Sequence, residues 1–221
     1  MTRHSARQRS HTGLAVLAAF FLASCLSSAA SSPHPRNTVF PSESPAIAGS
    51  AEPTVIRVLV VYYSLTGNTE KMAKAVSQGA EKVPGATVLT KTVNDVTASD
   101  LKSADAIVLG SPTYYGDMAG PMKAFIDDWY LKHAVSLVDK VGGAFSTGKG
   151  ETGGKEHVIY SLIIAMMNAG MVVAGPIEDS FGYGTPGVSA LDPVNEAALK
   201  EARGLGERVA GVARRIKTGV R

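Results

Sequence analysis

The chain has 221 residues, 45% of them hydrophobic and 19% charged, with a formal net charge of +3. That length accommodates one ordinary domain with residues to spare, and the surplus charge is local: without Arg3, Arg7 and Arg9 the basic and acidic residues balance. A balanced domain lacks the broad positive field of non-specific nucleic-acid binding, and the single cysteine, Cys25, excludes an intrachain disulfide or a thiolate cluster for a metal.

Met1 to Thr12 is polar and basic, and Gly13 to Ala23 is an unbroken apolar run. The run has the size of a signal-peptide core and falls short of the ~20 residues of a membrane span. Leu22-Ala23-Ser24-Cys25 is similar to the bacterial lipoprotein box, which implies a diacylated Cys25 as the new N-terminus; cleavage near Ala29-Ala30 and an uncleaved anchor are the alternatives. Arg7-Gln8-Arg9 is not a twin-arginine pair and leaves the export route open. Residues 26–54 are rich in Ser, Ala and Pro without a period, so they are expected to form a flexible linker. The expected organisation is a signal segment over 1–25, a linker over 26–54 and a folded domain over 55–221. An exported protein, membrane-anchored or otherwise extracytoplasmic, follows.

Val55 to Tyr63 is a β-branched, nearly all-apolar run, as in a central parallel strand covered on both faces. Thr69 to Val83 is helical, with Met72, Ala73, Val76 and Ala80 on one stripe, and Pro84-Gly85 ends it. Ala86 to Thr92 is a more polar strand nearer an edge, Asp100 to Ser103 a helical turn, and Ala104 to Gly110 a third, buried strand. Met118 to Leu131 is a helix with Met122, Phe125, Ile126 and Trp129 inward. Lys140 to Ser146 is a fourth strand, Lys155 to Asn168 a third long helix, and Gly170 to Gly175 a fifth strand. A loop rich in Gly, Tyr and Pro follows from Pro176 to Pro193, and Asn195 to Lys217 is a closing amphipathic helix. The alternation predicts a three-layer α/β fold: a five-stranded parallel sheet of order 2-1-3-4-5 with helices on both faces. Ligands of such sheets bind outside the carboxyl ends of the strands, where the order reverses.

Three loops fall at those ends. Ser64-Leu65-Thr66-Gly67-Asn68-Thr69 offers three hydroxyls, an amide, a glycine and the free N–H groups of a helix start. It carries no lysine and is not a Walker A loop, so it suits a monophosphate better than a magnesium-bound triphosphate. Pro112-Thr113-Tyr114-Tyr115-Gly116 presents two aromatics that can wall a flat heterocycle. Ser146-Thr147-Gly148-Lys149-Gly150, continuing to Gly153, lets several backbone N–H groups point at one ligand. Read one at a time, a plain helix cap, a packed tyrosine pair and a surface hairpin remain alternatives.

Together, S-L-T-G-N-T, P-T-Y-Y-G-D-M-A-G-P-M-K-A-F-I-D and F-S-T-G-K-G-E-T-G-G-K-E resemble the flavodoxin superfamily, in particular the WrbA-type NAD(P)H:quinone oxidoreductases. Asn168-Ala-Gly-Met-Val-Val and Tyr183-Gly-Thr-Pro-Gly187 match the same family, and the resemblance spans roughly residues 56–215. It implies FMN with its phosphate at Ser64 to Thr69 and its ring at Thr113, Tyr114 and Tyr115. Ser146 to Gly153 would add ring and ribityl contacts, and Asn168 stands where the family often has a flavin-touching His. Thr66 and Asn68 depart from the aromatic and His common in the family's first loop. The family's aromatic over the substrate side has no clear counterpart, and Trp129 reads as helix packing.

The resemblance further implies a small-molecule quinone as acceptor, NAD(P)H as donor and a homo-oligomer, dimer or tetramer. With the chemistry on the flavin, no catalytic side chain and no metal are required. His133 and His157 are the only histidines of the domain; His133 complements a helix C-terminus and His157 has no evident partner. The adjacent Asp127 and Asp128 point differently on a helix and do not form a carboxylate dyad. The alternative function is a non-enzymatic electron carrier of flavodoxin type. Such carriers are usually strongly acidic, and this domain is not.

Overall fold

The computed structural model describes residues 54–176 and 186–219. Cys25, the signal segment, the linker up to residue 53, and residues 177–185 of the last loop lie outside the described residues.

The elements in chain order are β1 (Ile56–Tyr62), α1 (Asn68–Ala80), β2 (Ala86–Thr92), α2 (Ala98–Ser103), β3 (Ala106–Tyr114), β4 (Asp117–Met118), α3 (Gly120–Leu131), β5 (Val141–Gly148), α4 (Lys155–Asn168), β6 (Val172–Val173), β7 (Val188–Leu191) and α5 (Glu196–Thr218). The sheet order is β2-β1-β3-β5-β6, all parallel, with β4 antiparallel on β3 and β7 parallel on β5. Once the short β4 is set aside, this is the expected 2-1-3-4-5 order.

Alternation along β1 explains its continuous apolar run. Val58 and Val60 face a core layer shared with Met72 and Val76 of α1 and Leu205 and Val209 of α5. Leu59 and Val61 face the other layer, built with Met122, Phe125 and Trp129 of α3 and Ile159 and Leu162 of α4. A strand buried on both faces has no polar side to alternate with.

On the first face α1 and α5 approach unusually closely. A Cβ on Gly79 would stand 1.8 Å from the carbonyl oxygen of Arg203, and one on Gly206 would stand 1.8 Å from that of Val76. Only residues without side chains fit at this crossing.

The structure corrects three boundaries. β3 continues past Gly110 to Tyr114, because residues 111 and 112 still pair with Ser146 and Thr147 of β5. Residues 117–118 form β4, so α3 begins at Gly120 with Pro121 in its first turn, where a missing N–H costs nothing. The stretch read as a loop from Pro176 to Pro193 contains β7. The edge position beside β5 is therefore shared: Val172 and Val173 pair with Val141 and Gly142, and Val188 to Leu191 resume opposite Phe145 to Gly148.

Candidate functional site

The connection from β1 to α1 is short. Ser64 Oγ accepts the N–H of Gly67 at 3.1 Å, which closes the turn. Gly67 has a φ of +85°, and α1 begins without a side-chain cap. The first intrahelical bond runs from the Lys71 N–H to the Gly67 carbonyl at 3.0 Å, so the N–H groups of Asn68, Thr69 and Glu70 have no partner within the helix. Among the described residues, a Cβ at Gly67 would meet nothing within 4 Å, which leaves the space over the turn open. Leu65 and Thr66 are exposed at its tip. Amides without a partner inside the helix, at the positive end of its dipole, beside hydroxyls and with no cation in the loop 64–69 itself, make an anion cradle.

In the second loop Pro112 is buried and Thr113 half-buried, while the reversal itself is Tyr115-Gly116, with φ of 52° and 84°. Positive φ at both turn positions suits a tight hairpin, yet Tyr115 is not a glycine and holds that conformation at some cost. Its ring is fully exposed. Tyr114 stands edge-on to Tyr63, with ring centroids 6.4 Å apart at 87°. Partial burial, with Tyr63 adding to it, raises the Tyr114 phenol above its ordinary value. Ser111, fully buried, accepts the N–H of Ala119 and donates to the Pro112 carbonyl, both at 2.9 Å, so it sets the start of α3.

In the third loop Ser146 and Thr147 are buried, and Lys149 and Gly150 are exposed. The Gly153 N–H donates to the Gly150 carbonyl at 3.2 Å. Lys155 is only 3% exposed and donates through Nζ to the carbonyls of Gly150 and Glu151, which clamps the loop from beneath. Gly154, with φ +92°, would set a Cβ 3.0 Å from the Gly116 backbone. The second and third loops therefore touch main chain to main chain.

Side chains join the loops. Thr69 Oγ1 and Thr147 Oγ1 lie 2.8 Å apart in a buried pair. Thr113 Oγ1 and Ser146 Oγ lie 3.1 Å apart. The Asn68 amide donates to the Asp192 carboxylate, and the Asp192 N–H donates to the Gly148 carbonyl at 3.0 Å. Ser64 to Thr69, Pro112 to Gly116, and Ser146 to Gly150 with Gly153 thus form one cluster at the carboxyl ends of β1, β3 and β5.

Asn168 does not join them, contrary to the expectation. It is the last residue of α4, whose 14 residues at 1.5 Å each carry it ~20 Å from the third loop. It is exposed at the opposite pole of the sheet and lines a cavity of about 950 Å³ between α3 and α4, with Met118, Trp129 and Ile164. Trp129 packs edge-on to Phe125 as expected of helix packing, but its Nε1 is buried without a hydrogen-bond partner among the described residues. Asp127 and Asp128 each pair with a separate lysine, Lys123 and Lys132.

Sequence reasoning missed Tyr63, Lys155 and Asp192. Tyr63 merged into the apolar run of β1, and Lys155 was one more helix residue. Asp192 fell in the stretch read as loop, where nothing marked it as facing Asn68.

The family described as NADPH-dependent FMN reductase matches residues 90–185. An NAD(P)H dehydrogenase (quinone) from Geotalea uraniireducens is 32% identical over 73% of this chain and 99% of its own length. A flavodoxin from Aquifex aeolicus is 37% identical over 70% of this chain and 85% of its own. The crystal structure of a flavodoxin, WrbA-like protein from Agrobacterium tumefaciens superposes with a TM-score of 0.57 at 31% identity, covering 72% of this chain and 98% of that one. With the loop cluster in place and similarity extending over essentially the full length of such relatives, the chain belongs to the flavodoxin superfamily, among the WrbA-type NAD(P)H dehydrogenases (quinone).

Proposed function

We propose that the domain is an FMN-dependent oxidoreductase that reduces quinones by two electrons, with NAD(P)H as donor. The observation that carries this is the uncapped start of α1 beneath an open, left-handed Gly67, joined by hydrogen bonds to the glycine loop after β5. That donor set fits a phosphate monoester: neutral N–H and O–H groups solvate its charge, and no lysine is placed for a longer phosphate chain. Ser64, Thr66, Asn68 and Thr69 would hold the phosphate. Tyr114, kept upright by Tyr63, and Tyr115 would flank the ring, and the backbone from Thr147 to Gly150 would meet its polar edge. When bound, FMN supplies the hydride-accepting centre. The protein contributes position, orientation and a face left open to a flat substrate.

The same proposal extends to the N-terminus and to assembly. Cys25 is the lipid attachment point of an exported protein, and a membrane quinol is then the alternative to NAD(P)H as donor. A homo-oligomer is supported by α4, where Tyr160, Ile164 and Met167 expose apolar surface along one side.

Residues 54–221 purified with flavin test the central reading. Near-equimolar flavin absorbance and NAD(P)H-driven turnover of benzoquinone are expected. Holoprotein that cycles only with a protein partner, never with benzoquinone, leaves an electron carrier instead; colourless protein that takes up no added FMN sinks both.

A further inference from the structure

The pole opposite the three loops carries a second surface. The helices return antiparallel to the strands, so their C-termini gather there, where cations complement the dipoles. Asp105, just before β3, organises the cluster. It accepts Lys217 Nζ at 2.9 Å through both oxygens and the Arg57 N–H at 2.7 Å. Lys140 Nζ donates to the carbonyls of Lys102 and Ala104. Arg214 and Arg215 are exposed in the last turns of α5. Against these stand Asp105 and Asp128, each already paired with a lysine, and the exposed Asp139 and Glu81. The balanced charge of the domain is therefore unevenly placed.

Apolar side chains are interleaved with the basic ones. Val138 and Ile216, exposed by 59% and 50%, line a cleft of about 230 Å³ together with Lys140 and Lys217. Val55 is also exposed, and Lys217 Nζ holds its carbonyl at 3.0 Å. The chain therefore joins the folded domain at this same pole.

We infer that this pole docks on an anionic phospholipid surface. Arg57, Lys102, Arg214 and Arg215 meet the headgroups, and Val55, Val138 and Ile216 reach the acyl boundary. A nucleic acid would use the charges and leave the aliphatic side chains idle; a bilayer interface uses both. The docking builds on the proposed anchoring at Cys25: a diacylated cysteine holds the chain to the membrane by itself, and the basic pole would then set which face of the domain meets the surface. The seven residues of β1, at 3.3 Å each, keep the flavin loops ~23 Å from the docked face. The site then opens to water, which favours a water-soluble donor such as NAD(P)H over the membrane quinol named as its alternative.

The test uses residues 54–221, which contain the region that relatives match over 98–99% of their own length, so that its counterpart stands as a whole protein there. Omitting residues 1–53 separates this proposal from acylation at Cys25. The domain is sedimented with vesicles of phosphatidylglycerol and phosphatidylcholine, and with phosphatidylcholine alone, at low and high salt. Binding only to the anionic vesicles, weakened by salt, is expected. Each basic residue at such a surface contributes about fivefold, so the triple variant R57E/R214E/R215E loses roughly a hundredfold or more in partitioning. Its FMN uptake, read by flavin fluorescence, stays at the wild-type level because the substituted groups are exposed at the far pole. If that variant fails to take up FMN, R214Q/R215Q replaces it, with a loss of about twenty-five-fold expected. No binding to anionic vesicles, equal binding to phosphatidylcholine, unchanged binding of the folded variant, or a preference for duplex DNA over vesicles overturns the proposal.

Discussion

Gly206→Ala isolates the crossing of α1 and α5. In a helix interior alanine is normally better than glycine by about 1 kcal/mol, because glycine surrenders more backbone freedom on folding. At Gly206 the added Cβ would lie 1.8 Å from the Val76 carbonyl oxygen and 2.8 Å from its carbon, both backbone atoms. Ordinary contact requires the helices to separate locally by about 1.5 Å. Forcing atoms into a packed core costs ~1–3 kcal/mol, and a main-chain obstacle puts this site at the upper end. The net expectation is a loss of about 2 kcal/mol, or roughly 4–8 °C in Tm for a domain of this size. Gly204 and Gly211 lie on the same helix with nothing within 4 Å of a Cβ, so alanine there is expected to stabilise by about 0.5–1 kcal/mol. Urea unfolding of the three variants, compared at constant m, reads the difference. Gly206→Ala as stable as wild type, or Gly204→Ala equally damaging, would refute the close-approach reasoning. Because α1 presents the phosphate loop from its other end, Gly206→Ala should also weaken FMN binding, while the two controls should not.

Two further outcomes follow from individual hydrogen bonds. Thr69→Val or Thr147→Val alone strands one buried hydroxyl of the 2.8 Å pair and should cost about 1–3 kcal/mol, whereas the double variant should recover most of it. FMN titration of the double variant should show no such recovery, because Thr69 has a second task at the phosphate. Asp100 concerns pH. Burial works to raise its carboxyl, but hydrogen bonds from Lys91 and from the Thr97 N–H and hydroxyl outweigh that and hold it below its ordinary 3.8. A carboxyl depressed in the fold contributes stability that is complete above its unfolded value and is lost as pH falls through the folded one. Asp100→Asn, which leaves an acceptor for Thr97 but removes the charge facing Lys91, should therefore cost ~1 kcal/mol at neutral pH and progressively less as pH falls through the depressed folded value, seen as a flatter acid limb in Tm against pH.

Where one physical signal dominated, sequence reading located the elements well. The bounds of α4 coincide with the expected Lys155 to Asn168, because glycines precede it and Gly170 follows. β7 was invisible for the opposite reason. Val188-Ser-Ala-Leu191 is too short to show a period, lies between Gly187 and Pro193, and becomes a strand only by pairing with β5. Pro112 was read as part of the loop after a strand ending at Gly110, yet it still occupies a register position against Thr147. In the site, loops adjoining strong strands were legible because a parallel sheet dictates where its carboxyl ends lie. Asp192 and Tyr63 were not, since contact between distant segments leaves no local pattern. Asn168 came from family likeness alone, and the direction of α4 takes it to the far pole.

The divided strand beside β5 has a consequence for self-association. An edge of unpaired N–H and C=O groups recruits other strands in proportion to its length and flatness. Here that edge offers two residues of β6, then an excursion of the chain, then four residues of β7. The opposite edge, β2, is longer but dotted with Thr87, Thr90, Lys91 and Thr92. Neither margin presents a long apolar template to a neighbour. Wherever the domain is held at high local concentration, the broken edge keeps encounters between copies from growing sheet to sheet.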